Sequence, residues 1–193
     1  MSWLDKPLNA LRARLGAPTT ESRMVRGLRV DVINTREDVN IDEVFARAGR
    51  ILTRVQAYQP ARYAHLMRDV SRIVVERFPC RGAYFRDQRT ILLELTFMVN
   101  AAFSDSQVAA CLVHEAMHAR LDRLVERFGI TSFDDDRARH ERICRRAELQ
   151  FGHAVPDGAP VIARAQESMD MTDEDVAPTI DWDLAAKRTR DQA

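Results

Sequence analysis

His114-Glu115-Ala116-Met117-His118 is a pattern that can do chemistry. On a helix, residues four apart lie one turn apart on the same face, so His114 and His118 can direct their imidazoles at one point. Two neutral imidazoles at that spacing suit a zinc ion. Glu115 beside them suits the removal of a proton from a water activated at the metal. This HExxH pattern predicts metal-assisted hydrolysis, with Zn²⁺ as cofactor, His114 and His118 as ligands and Glu115 as general base.

Catalytic zinc usually takes three protein ligands and leaves a fourth position open. A Gly and a His three and six residues after the second histidine would supply the third ligand as metzincins do, but Leu121 and Leu124 stand there. The next candidates lie in Arg139-His140-Glu141-Arg142-Ile143-Cys144-Arg145-Arg146-Ala147-Glu148. Glu141, 23 residues after His118, is the first choice, because that length allows a loop and an antiparallel return helix. Glu148 lies two turns further along the same face, so one carboxylate can ligate while the other hydrogen-bonds a ligand histidine or an arginine. His140 is the main competitor, and the Asp134-Asp135-Asp136 run is a weaker one. A second donor for a tetrahedral oxyanion can come from His140, His153, Arg145 or Tyr84; the three tyrosines all precede the motif. Cys111 and Cys144 lie one turn from His114 and Glu141 respectively, and read as small buried residues with ligation as the alternative. His65 reads as an ordinary helix residue.

A strand hairpin, the HExxH helix, a loop and then a helix carrying a glutamate make the region from Ile73 to Phe151 resemble gluzincin-type zincin metallopeptidases. The specific part of the resemblance is His114, Glu115, His118 and Glu141. It implies a hydrolase, a protease acting on a peptide or protein substrate. Zinc would be held by His114, His118 and Glu141, and Glu115 would pass a proton to the leaving amine. It also implies that an edge strand above the site pairs with extended substrate, here Thr90 to Leu95. Two other functions remain open: a non-catalytic zinc scaffold with a closed site, and a metal-free helical domain that binds a partner protein.

These residues need elements to hold them. Ser104 and Gln107 form a capping-box pair. Val108, Leu112, Met117, Leu121, Leu124 and Val125 keep helical spacing, and Gly129 suits a helix stop, so a helix is expected from Asp105 to Phe128. A polar loop, Thr131 to Asp136, leads to a second helix from Arg137 to Phe151. Upstream, helices are expected over Leu4 to Leu15, from Asn40 or Asp42 to before Pro60, and from Ala61 to Asp69. Leu28, Val30, Val32 and Ile33 read as a short strand or extended segment. Ile73-Val74-Val75, Ala83-Tyr84-Phe85 and Thr90 to Leu95 read as three short strands.

The expected fold class is therefore α+β: a mainly helical zincin-like domain with a small three-stranded sheet packed on the HExxH helix. It covers residues 1–155, with 1–70 helical and 71–155 holding the sheet and active-site helices. A polar, acidic tail over 156–193 buries little; its Trp182 lies between Asp181 and Asp183. There are no internal repeats.

At 193 residues the chain can bury a core without cross-links. Acidic and basic residues balance at 29 each, so no net field draws nucleic acid or an anionic membrane. The positive charge is arginine except for Lys6 and Lys187. Cys80, Cys111 and Cys144 are odd in number and contain no CxxC pair, which favours a reducing compartment. No run approaches the roughly 18 apolar residues of a membrane span, and Met1 to Leu15 lacks the apolar stretch of a secretory signal. The expected location is the cytoplasm.

Overall fold

Arg26 and Gly27 turn the chain back on itself: both take positive φ, 50° and 84°, the conformation a two-residue hairpin turn requires. The turn joins β1 (Thr19–Val25) to β2 (Leu28–Asn34), paired antiparallel with Val25 opposite Leu28. The computed structural model describes residues 19–129 and 137–177. The helix expected from Leu4 to Leu15, the loop with Asp134, Asp135 and Asp136, and Trp182 lie outside the described residues.

Asn40 accepts a hydrogen bond from the Asp42 amide and starts α1 (Ile41–Tyr58), which buries Val44, Phe45, Ala48, Ile51, Leu52 and Val55. Pro60 opens α2 (Pro60–Asp69); proline is tolerated there because the first turn has no use for its missing N–H. Three strands follow, β3 (Arg72–Glu76), β4 (Gly82–Phe85) and β5 (Thr90–Glu94), then a short α3 (Leu95–Val99). The long α4 (Asp105–Phe128) carries the HExxH motif. Its Ser104–Gln107 capping box and its stop at Gly129, with φ 63°, are as the sequence predicts.

Among the described residues the sheet has five strands in the order β1-β2-β3-β5-β4, parallel at β2-β3 and β3-β5 and antiparallel at both margins. The fold is α+β, but the expected three-stranded sheet is corrected to five. The N-terminal part is not purely helical, since its hairpin joins the sheet through β2. β1 is exposed along most of its length, so its polar sequence carries no alternation to reveal a strand.

A second correction concerns the edge. β5 lies between β3 and β4 rather than at the margin, and all five of its residues are buried. The half-buried β4 is the edge instead. An unbroken apolar run such as Ile91-Leu92-Leu93 marks an interior strand covered on both faces.

Register sets the layers. Val30, Ile73 and Ile91 align across three strands, as do Val32, Val75 and Leu93, and they pack with the helices in one core. Leu92, from the opposite face, packs with Phe78 and Phe85 in a smaller cluster. Arg47 of α1 locks the entry to the motif helix, donating to the Met98 carbonyl at 2.7 Å and to Asp105 at 3.0 Å. It also donates to the carbonyl of Phe103.

α5 (Arg137–Ala154) packs against α4 as the return helix. The residues after Pro156 do not all form a tail that buries little. Residues 159–169 make α6 (Ala159–Met169), with Val161 and Ala165 buried, and α7 (Asp173–Val176) follows, burying Val176. Composition misses this because α6 needs only a narrow apolar face where it crosses α5. At that crossing Gly158 lies so close to the Gly152 carbonyl that no side chain fits between them. No helix among the described residues is long and apolar enough to cross a membrane.

Candidate metal centre

Helical spacing along α4 brings the two imidazoles together as expected: Nε2 of His114 and Nε2 of His118 are 3.1 Å apart. α5 meets them from across the helix pair. Glu141 places Oε2 at 3.2 Å from His114 Nε2 and Oε1 at 3.4 Å from His118 Nε2. With metal–ligand bonds of about 2.0–2.1 Å, a tetrahedral centre has ligand–ligand edges of about 3.3–3.4 Å. The three separations are close to those edges, with Glu141 meeting each histidine through a different oxygen so that the carboxylate spans the pair; two nitrogens and a carboxylate are donors of the type zinc takes.

The other imidazole nitrogen faces a second carboxylate. His114 Nδ1, fully enclosed and without a conventional hydrogen bond, lies 3.4 Å from Oε1 of Glu148. Nη1 of Arg145 contacts both Glu148 oxygens, at 3.1 and 2.9 Å. A carboxylate behind a histidine holds the ring's orientation and tautomer, leaving Nε2 free to bind a cation. The distance from Glu141 to Glu148, seven residues, keeps both on the face turned to α4.

Charge at the site favours a cation. Burial alone pushes the Glu141 carboxyl up, but His114 and His118 outweigh it and hold it well below the usual range. Glu148, likewise opposed by burial, is brought to about 2 by His114 and Arg145. For His114 burial disfavours the proton, yet Glu141 and Glu148 raise it to about 9. Without a metal, the carboxylates thus draw a proton onto the imidazole. Glu115 is shifted the other way, chiefly because burial penalises its charge. A base raised in this manner works closer to neutral pH.

Glu115 lies against β4. A Cβ placed on Gly82 would meet Oε1 of Glu115 at 3.0 Å and Sγ of Cys111 at 2.7 Å, so glycine lets the strand rest on the motif helix. Sequence reasoning missed Gly82, since its requirement comes from an approach between segments 33 residues apart. Cys111 is buried in the core, consistent with the small apolar reading. Cys144 is closer to the centre than expected of a filler: its Sγ and the ligand nitrogens of His114 and His118 all lie within 4.8 Å of one another. Burial, then the carboxylates of Glu141 and Glu115, push that thiol well above its ordinary pKa.

The remaining candidates are placed as follows. His140 is half-buried on α5, next to Glu141. His153 is exposed near the end of the same helix. Arg145 is engaged with Glu148. The Tyr84 hydroxyl on β4 is pushed up by burial and then by Asp122, a residue one turn beyond His118. No protein family, curated protein or solved structure matches this chain, and the geometry of the site is what its chemistry is read from.

Proposed function

We propose that this protein is a zinc-dependent metallopeptidase, its site similar to that of gluzincin-type zincins, cleaving peptide bonds in an extended peptide or protein substrate. The observation that supports it most is the Glu141 carboxylate meeting Nε2 of both HExxH histidines at 3.2 and 3.4 Å. His114, His118 and Glu141 would hold the ion. When bound there, zinc supplies a Lewis acid and brings the pKa of water toward about 7.

The chain's own residues supply the remaining functions. Glu148 keeps the His114 ring oriented through Nδ1, and Arg145 in turn keeps Glu148 charged and in place. Glu115 takes the proton of the attacking water and delivers it to the departing amine. The edge of β4 lies beside Glu115, and an extended substrate can add there as a further strand, with backbone hydrogen bonds giving affinity. Three cysteines, an odd number with no CxxC pair, suit a reducing, cytoplasmic location.

Purified, tag-free protein is expected to carry about one zinc per chain, lost in His118→Ala. Glu115→Gln is expected to retain the zinc and lose about 10²–10⁴-fold in turnover of a peptide-library substrate. Full activity in Glu115→Gln, or a wild type that binds no metal, overturns the proposal.

A further inference from the structure

We propose that Cys144 is a fourth donor to the metal held by His114, His118 and Glu141, so that the resting centre is closed by a thiolate. The inference rests on the zinc reading above and adds a restraint on it. Its basis is placement. Cys144 follows Glu141 by three residues on α5, so both point from one face of that helix toward the two histidines of α4. Each helix then contributes a pair of donors, H-x3-H from one and E-x2-C from the other.

The sulfur is fully buried, and it lies within 4.8 Å of both imidazole ligand atoms. Zinc–sulfur bonds of about 2.3 Å and zinc–nitrogen bonds of about 2.0–2.1 Å give tetrahedral N···S edges of roughly 3.5 Å. A modest movement of one short side chain covers the difference. As the sulfur–metal bond forms, the thiol proton leaves to the medium and the donor set becomes N₂OS, which suits thiophilic divalent cations such as zinc or cobalt.

The consequence is functional. The fourth position is the one a catalytic centre keeps for water or substrate. With Cys144 in it, hydrolysis waits for the thiolate to leave, and the chain carries its own brake within the helix that supplies Glu141. A cysteine serving only as a small core residue would leave the metal's spectrum and affinity untouched.

Cobalt(II) loaded into the full chain tests this. Wild type is expected to bind about one cobalt and show a thiolate-to-cobalt charge-transfer band in the near ultraviolet. Cys144→Ala and the nearly isosteric Cys144→Ser are expected to keep the cobalt and lose the band. Their affinity, measured by chelator competition, is expected to fall about tenfold or more, since changes behind the ligands alone cost that much. Cys111→Ala is expected to keep the band. Stoichiometric cobalt without a charge-transfer band, or a band that survives in Cys144→Ser, overturns the fourth donor and leaves the His114–His118–Glu141 site standing. Failure of wild type to bind cobalt brings down both readings.

Discussion

The backbone of Gly82 rests on Glu115: a Cβ there would come within 3.0 Å of Oε1 and 3.1 Å of Cγ of the general base proposed here. The same Cβ would meet the buried Cys111 Sγ at 2.7 Å, so a methyl there must push the strand off the motif helix or displace both side chains. Gly82→Ala is therefore expected to cost about 1–3 kcal/mol in stability, the usual range for overpacking. It is also expected to lower turnover by displacing Glu115, while bound zinc stays near one per chain. Urea unfolding with metal analysis checks this; an unchanged midpoint argues against the close approach.

Glu148 acts behind His114, and its removal is expected to weaken the metal rather than abolish it. Glu148→Gln keeps shape but removes the charge facing Nδ1 and Arg145. A loss of about 10–100-fold in zinc affinity is expected. Glu141→Gln, which removes a direct donor, is expected to lose more. If chelator titration ranks the two variants the other way, the roles of the two glutamates are exchanged.

Zinc binding should release a proton from His114. In the metal-free protein the group sits near 9 against an ordinary 6.5, because Glu141 and Glu148 outweigh burial. A raised pKa contributes stability that is complete below the unfolded value and is lost as pH rises through the folded one. The metal-free protein is thus expected to lose thermal stability between pH 6.5 and about 9, and saturating zinc to remove that decline. Apparent zinc affinity is expected to climb over the same interval, because the ligand must be deprotonated. Calorimetry on Cys144→Ser in two buffers of different ionisation enthalpy would count the His114 proton without a contribution from the thiol; no release at pH 7 would contradict the electrostatics.

Arg47 ties α1 to the start of the motif helix through Met98, Phe103 and Asp105. Arg47→Met keeps the aliphatic stem and takes the guanidinium from the Met98 and Phe103 carbonyls, while Asp105 keeps its bond from Arg50. A loss of about 3 kcal/mol is expected, typical of removing one partner from a buried charged set. Chemical denaturation measures it, and a change under about 0.5 kcal/mol would mean that other groups hold the entry to α4.

The crossing of α5 and α6 depends on two glycines, and Gly158→Ala drives a methyl into the Gly152 carbonyl. The two helices must then separate, at a cost of about 1–3 kcal/mol or more. Removing residues after 158 is likewise expected to lower the melting temperature, because Val161 and Ala165 leave the core. An unaffected melting temperature in both variants would show that α6 adds nothing to the fold.

Local rules were enough for much of this molecule. The capping box at Ser104 and Gln107, the left-handed stop at Gly129 and the spacing of Val108, Leu112 and Leu121 define the motif helix from neighbouring residues alone. Four-residue spacing likewise makes His114 and His118 converge, and α1 follows from its apolar stripe. Long-range pairing is a different matter, because it is chosen by competition among distant surfaces. The apolar run Ile91-Leu92-Leu93 marks an interior strand, but it does not choose β3 and β4 as the neighbours of β5, and nothing in exposed β1 says that it will extend the sheet. The Glu141 and Glu148 contacts with His114 need α5 docked on α4 in one register, and the fit of Gly82 against Glu115 needs β4 laid over that helix. Helix periodicity is written in contacts three or four residues apart. The donor set and the strand beside it depend on packing between segments dozens of residues apart, which a residue pattern does not encode locally.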